Sequence, residues 1–248
     1  MRKNILITGA SSGLGRGMAR EFAARGCNLA LCARRTERLE ELKAELTAAH
    51  PNIHVAIRAL DVMDYDQVFD VFKSFRDELG TLDRVIVNAG MGKGAPIGTG
   101  YFYANRQTAE TNFVAALAQC EAAVEIFREQ NAGHLVTISS MSAMRGMPRA
   151  LTVYAATKAG LATLTEGIRA ELMKTPIKVS TIFPGYIRSE INERVKKTPF
   201  MVDTETGCRA LVAAIEREPA TACVPRWPWT AIGVLMRNLP LKTVAKMG

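Results

Sequence analysis

Residues 7–17 read ITGASSGLGRG and place four glycines where an apolar run passes into a helical pattern. An interior glycine costs roughly 0.5–1 kcal/mol relative to alanine. Either this stretch is an ordinary loop, or something approaches the backbone more closely than a Cβ would permit. Gly9, Gly13 and Gly15 follow the strand-like NILIT (Asn4–Thr8) in a G-x-x-x-G-x-G spacing and precede a helix near Leu14–Arg25, which Gly26 closes. Between strand and helix, such a turn aims free N–H groups and the positive helix end at a diphosphate. The spacing differs from the common G-x-G-x-x-G, so the rest of the chain has to decide.

Outward from that turn, apolar β-rich runs alternate with helical patterns. NLALCA (Asn28–Ala33) precedes Thr36–His50, whose leucines at 39, 42 and 46 keep helical spacing. HVAIRALDV (54–62) is a third strand before a helix over Tyr65–Leu79, and RVIVNAG (Arg84–Gly90) is a fourth. A long helix around Ala104–Gln130, the strand His134–Ser140, a helix Tyr154–Lys174 and the strand Lys178–Gly185 complete the series. Strands that are apolar on both faces and separated by helices imply a parallel sheet covered on both sides. The expected fold is α/β, a Rossmann-like doubly wound parallel sheet in a single domain over residues 1–225, followed by an apolar and basic tail over 226–248.

The bulk numbers agree with this and narrow the function. The 248 residues are 48% hydrophobic and 23% charged, enough to bury a full core. No run approaches the roughly 18 apolar residues of a membrane span, and the basic start MRKNILITGA turns into glycines too soon for a signal peptide. The expected location is cytoplasmic. The five cysteines (Cys27, Cys32, Cys120, Cys208, Cys223) show no C-x-x-C pair and no histidine at ligand spacing, so reduced thiols and no metal are expected. The net charge of +8 fits a phosphorylated ligand, a membrane surface or nucleic acid. Nucleic acid is the weakest of these, because no long basic run is interleaved with aromatics.

Further motifs occur in a fixed order: Thr8–Gly15, Leu60–Val62 (LDV), Asn88–Gly90 (NAG), Asn112, Ile138–Ser140 (ISS), Tyr154–Lys158 (Y-x-x-x-K) and Pro184–Gly185. Together they resemble the short-chain dehydrogenase/reductase family in its compact form, over roughly residues 1–190. The residues themselves suggest the chemistry. Tyr154 and Lys158, four apart, share a helix face. Moving a phenol from about 10 to about 7 needs roughly 4 kcal/mol, which one ammonium at about 4 Å supplies at an effective dielectric near 20. Lys158 is thus expected to acidify Tyr154. Ser140 ends the fifth strand, where its hydroxyl can donate to a carbonyl oxygen gaining charge; Ser139 and Ser142 are rivals. The resemblance selects Ser140 and adds Asn112, which would hold a water-linked proton path to Lys158. The bland reading of Asn112 is an amide bonded to backbone.

Cofactor choice is expected just after the second strand, where NAD binders of this fold carry an acid. Here the chain reads CARRTERL, with Arg34 and Arg35 and no Asp or Glu at the strand end. Guanidinium groups pair with a phosphate dianion, so NADP(H) is expected. The glycine turn from Gly9 through Ser11, Ser12, Gly13 and Leu14 to Gly15 would cradle the diphosphate. The resemblance implies that Asp61 and Val62 meet the adenine and that Asn88, Ala89 and Gly90 pack beside the dinucleotide. It also counts Pro184 and Gly185 among the cofactor contacts and has Ile187 and Ser189 meet the nicotinamide amide, with Tyr154 and Lys158 also touching the cofactor.

Met141, Met144, Met147, Ile191, Phe200 and Met201 suit an apolar substrate pocket, though each is by itself an ordinary core filler. Lys93 could meet an acidic substrate group. In the tail, Trp227 and Trp229 precede an apolar stretch with Arg237, Lys242 and Lys246. Two readings stand: a peripheral membrane contact, or a cover for the pocket or a second subunit, the latter favoured. Ala115, Ala116, Ala118, Ala122, Ala159 and Ala162 are expected on the outer faces of the helices that family members pair in homodimers. The expected activity is reduction of a hydrophobic ketone or aldehyde by NADPH. NAD-linked alcohol oxidation on the same machinery and a nucleotide sensor without turnover are the alternatives.

Overall fold

The computed structural model describes residues 2–92, 94–190 and 199–246; Lys93 and Ile191 lie outside them. Seven parallel strands form one sheet in the order β3-β2-β1-β4-β5-β6-β7. They are β1 (Asn4–Thr8), β2 (Asn28–Ala33), β3 (Val55–Ala59), β4 (Arg84–Val87), β5 (His134–Ile138), β6 (Lys178–Pro184) and β7 (Thr221–Val224). Registers such as Ile5↔Leu29, Leu6↔Val85 and Leu135↔Val179 run the apolar strands side by side.

Alternation within each strand divides the core into two layers. Ile5, Ile7, Leu29 and Leu31 face α1 (Gly13–Ala23), α2 (Thr36–Ala49) and α7 (Thr204–Glu216). Leu6, Ala30, Val85 and Leu135 face α3 (Tyr65–Leu79), α5 (Ala115–Gln130) and α6 (Leu151–Glu171). The doubly wound, single-domain arrangement expected from the sequence is therefore the one observed. Two acidic caps set helix starts: Asp64 accepts from the Gln67 amide at 3.2 Å, and Asp203 from the Thr206 amide at 2.8 Å.

The long helix expected around Ala104–Gln130 is broken. It comprises α4 (Phe102–Ala109), a π turn at Glu110–Val114 and α5. A π turn inserts a residue and rotates the helix face downstream. Ala115, Ala116 and Ala122 accordingly point into the core, at 0–2% exposure, rather than outward as expected. Ala118, Ala159 and Ala162 are half-buried. Beyond β6, the element α7 and the edge strand β7 were not anticipated.

The tail folds back onto the domain as α8 (Arg226–Asn238) and α9 (Leu241–Val244). Trp229 is buried with Met141 and Phe183, and Met236 and Val244 with Met147 and Ala155. Trp227, Val234, Leu235 and Leu241 remain exposed. Among the described residues, no helix is long and apolar enough to cross a membrane.

Candidate active site

The strand order reverses between β1 and β4: the chain leaves β1 for β2 and β3 on one side, then returns to β4 on the other. Ligands of open α/β sheets bind at the carboxyl ends of the strands beside such a switch. Both flanking strands end there in the predicted motifs. Thr8, closing β1, accepts the Asn88 and Ala89 amides on Oγ1 at 3.0 Å each. Asn88 returns its Nδ2 to the Thr8 carbonyl at 2.9 Å. The NAG segment and the glycine turn are thus one hydrogen-bonded unit.

The turn leaves no room for a side chain at Gly9 or Gly15. Gly9 has φ +65°, and a Cβ on Gly15 would stand 2.4 Å from the Gly9 carbonyl oxygen and 2.7 Å from Asn88 Nδ2. Ser12 caps α1 without a side-chain hydrogen bond to the helix, so its hydroxyl does not occupy the amides of the first turn. Ser11 is buried, Leu14 packs on the core, and Ser189 from the loop after β6 comes within 3.5 Å of a Cβ built on Gly13. Tight glycines, open helix-start amides and a wall on the far side fit a diphosphate-bearing dinucleotide.

At the carboxyl end of β2 the two arginines part company. Arg35 turns inward and donates from Nε to Ser11 Oγ at 3.3 Å and from Nη2 to Ser12 Oγ at 2.6 Å. Arg34 is largely exposed, 3.9 Å from Asp61. Asp61 also accepts the Met63 amide at 3.1 Å, and Val62 is buried. Sequence reasoning missed two neighbours. Glu190 reaches Arg35 at 3.4 Å and Arg38 at 2.7 Å. It is 155 residues from Arg35, and only the loop after β6 brings it there.

The proton-handling groups converge beside this cradle. The carboxyl end of β5 and α6 are joined by Ser139, whose Oγ donates to the Lys158 carbonyl at 2.8 Å. Ser139 is buried and committed to that bond, whereas Ser140 is half-buried and accepts the Ser142 amide at 3.1 Å. The Ser140 hydroxyl is hydrogen-bonded to the Tyr154 phenol. The serine that faces the tyrosine is therefore Ser140.

Lys158 is buried, with Nζ donating to the Ile138 carbonyl at 2.8 Å. Burial alone lowers its pKa to about 8. The Tyr154 phenol is held above its ordinary value rather than lowered as expected. Burial pushes it up, the Ser140 hydrogen bond pulls it down, and the neighbouring Tyr186 pushes it up again. Desolvation is the largest of these influences, and the Lys158 ammonium directs its hydrogen bond at the Ile138 carbonyl.

Asn112 sits buried in the π turn. Its Oδ1 accepts the Met91 amide at 2.8 Å and its Nδ2 donates to the Met91 carbonyl at 2.9 Å. It clamps the loop that follows Asn88–Gly90. A Cβ on Gly90 would lie 3.1 Å from Asn112 Oδ1 and 3.5 Å from Lys158 Nζ, so the three meet at one point.

On the far side, Pro184 ends β6 and Gly185 carries the Trp229 indole, which a Cβ there would strike at 2.1 Å. Ile187 is buried against Gly207 and bridges to Val202. Tyr186 and Phe200 meet Trp229 edge-on, with ring centroids 5.4 and 6.4 Å away. Met141 and Met144 belong to the same apolar wall, and Met147 packs beneath α8. No group of three or more His, Cys, Asp or Glu suited to a metal occurs among the described residues.

Comparison with known proteins places this architecture. The family model described as short chain dehydrogenase matches residues 3–199. An uncharacterized oxidoreductase of Mycobacterium tuberculosis is 55% identical over 239 residues, covering 96% of this chain and 94% of its own. The 11-beta-hydroxysteroid dehydrogenase 1A of Arabidopsis thaliana is 32% identical over 91% of this chain and 69% of its own length. Among solved structures, a short-chain dehydrogenase from Sphingobium yanoikuyae in complex with NADPH superposes with a TM-score of 0.82, at 26% identity over 96% of each chain.

Proposed function

Because the chain belongs to the short-chain dehydrogenase family, and is an oxidoreductase whose fold binds a nicotinamide cofactor, we propose that it reduces a hydrophobic ketone or aldehyde with NADPH. The reading rests on one observation: Ser140, just past the carboxyl end of β5, is hydrogen-bonded to Tyr154 on the helix that also carries Lys158, beside the glycine turn.

When bound, the dinucleotide supplies hydride to the carbonyl carbon. The chain's residues handle the oxygen. Ser140 donates to it and steadies the growing negative charge. Tyr154 passes its proton to the same oxygen, and its raised pKa keeps that proton loaded at neutral pH, as reduction requires. Lys158, still largely an ammonium at pH 7, offsets the phenolate left behind. Asn112 holds the Met91 loop and, through it, the NAG segment in place.

Arg35, fixed on Ser11 and Ser12, and Arg34 beside it supply the charge for a 2′-phosphate. The NADPH complex of the Sphingobium relative is consistent with that preference. The apolar wall of Met141, Tyr186 and Trp229 and the name of the hydroxysteroid dehydrogenase relative favour a bulky apolar substrate. Association as a homodimer through α5 and α6 completes the reading, and a doubled mass in light scattering tests it. If the exposed face of α8 and α9 meets lipid, the protein will instead pellet with vesicles.

A panel of apolar ketones and aldehydes, followed by absorbance of the reduced nicotinamide, tests the activity. Turnover faster with NADPH than with NADH is expected. NADPH binding without turnover of any carbonyl or alcohol would favour a nucleotide sensor, and preference for NADH would favour the NAD-linked dehydrogenase.

A further inference from the structure

Every cation at the carboxyl end of β2 that turns toward the glycine cradle is already in contact with a carboxylate of the chain. Glu190 places Oε1 2.7 Å from Arg38 Nη1 and Oε2 3.4 Å from both Nη1 and Nη2 of Arg35. It is also hydrogen-bonded to Ser12, the residue that caps α1. Arg35 in turn holds Ser11 and Ser12. An anion is thus seated on both arginines and the cap serine together, and it belongs to the loop that carries Ile187 and Ser189.

We infer that Glu190 is a tethered competitor for the cofactor's 2′-phosphate and thereby sets how strongly the protein distinguishes NADP(H) from NAD(H). The inference rests on the NADP(H) reading above. A phosphate dianion and a carboxylate cannot share Arg35 and Arg38 without repulsion, so a 2′-phosphate must displace Glu190 before it gains those cations. A ribose hydroxyl has no such conflict, because a carboxylate accepts hydrogen bonds from it. Glu190 therefore disfavours the phosphorylated cofactor and tolerates the unphosphorylated one. Arg38, which no motif singles out, becomes a third contributor to the phosphate site once Glu190 leaves it. These ion pairs are half-exposed, and their combined hold is modest. Removing the carboxylate is expected to tighten phosphate binding by about fivefold.

The test is calorimetric binding of adenosine 2′,5′-bisphosphate and of 5′-ADP, then of NADPH and NADH, to the wild type and to E190Q. Glu190 is exposed, and glutamine keeps its shape, so the fold is retained. The expected result is tighter binding of adenosine 2′,5′-bisphosphate and NADPH by about fivefold, with 5′-ADP and NADH changed by less than about twofold. If the wild type prefers the 2′-phosphorylated ligands and E190Q leaves every constant unchanged, the competitor is refuted while the cofactor assignment stands. Equal tightening of all four ligands refutes it too, because the effect would then be general attraction of anions. If the wild type shows no preference for the 2′-phosphate, the cofactor assignment itself fails.

Discussion

Consider replacing Lys158 by methionine, a side chain of similar length without charge. Lys158 is 5% exposed, and its ammonium donates to the Ile138 carbonyl at 2.8 Å. Burial lowers its pKa from the ordinary 10.5 to about 8. At roughly 1.4 kcal/mol per pKa unit, burial disfavours the ammonium by about 3 kcal/mol. At pH 7 the lysine is charged in both folded and unfolded chains, so the folded protein bears that whole cost. Methionine removes it and leaves the Ile138 carbonyl without its partner, a loss of about 1 kcal/mol. The net expectation is a variant more stable by about 2 kcal/mol, or roughly 4–8 °C in Tm for a chain of this size, and without useful turnover. The pH dependence is the sharper signature. Between about 8 and 10.5 the folded wild type binds fewer protons than the unfolded chain, so its stability rises with pH across that window. The advantage of Lys158→Met should be complete below pH 8 and shrink steadily above it. Urea unfolding of both proteins at pH 7 and pH 9.5 measures this. A variant less stable than wild type at pH 7, or a stability difference that does not change with pH, would refute the reasoning.

Four more perturbations separate the parts of the site from its surroundings. Tyr154→Phe removes the proton donor and should lower kcat about 10²–10⁴-fold while calorimetry finds NADPH affinity little changed. Gly15→Ala sets a methyl group against the Gly9 carbonyl, a backbone atom that cannot swing away, and should weaken NADPH binding by more than about tenfold. Gly17→Ala is its control: there the clash, at 2.3 Å, is with Cys208 Sγ, so thermal stability falls, NADPH affinity holds, and Cys208→Ala restores part of the loss. Asn112→Ala leaves the Met91 amide and carbonyl without partners and should cost about 2–4 kcal/mol in urea unfolding.

The strands and the glycine turn were legible in the sequence because their signals are local. β1 is five buried residues running straight into glycines that no side chain could replace. Tyr154 and Lys158 were legible because four residues is one helical turn. The α5 alanines were misjudged because the π turn at Glu110–Val114 rotates the face, and no residue pattern marks it. β7, an edge strand reading TACV, is largely half-buried or exposed and lacks the continuous apolar run that marks β4, a strand of the same length. The raised pKa of Tyr154 depended on something spacing does not reveal: how deeply the phenol is buried. Glu190 was invisible for a related reason, since a loop 155 residues downstream of Arg35 carries it there.

The most direct test of the account is a crystal structure with NADP+ bound. The account predicts that the diphosphate lies on the amides of the Gly9–Gly15 turn, with the 2′-phosphate on Arg35 and the nicotinamide ring beside the Tyr154 hydroxyl. A nicotinamide bound away from Tyr154, or a dinucleotide seated off the glycine turn, would contradict it.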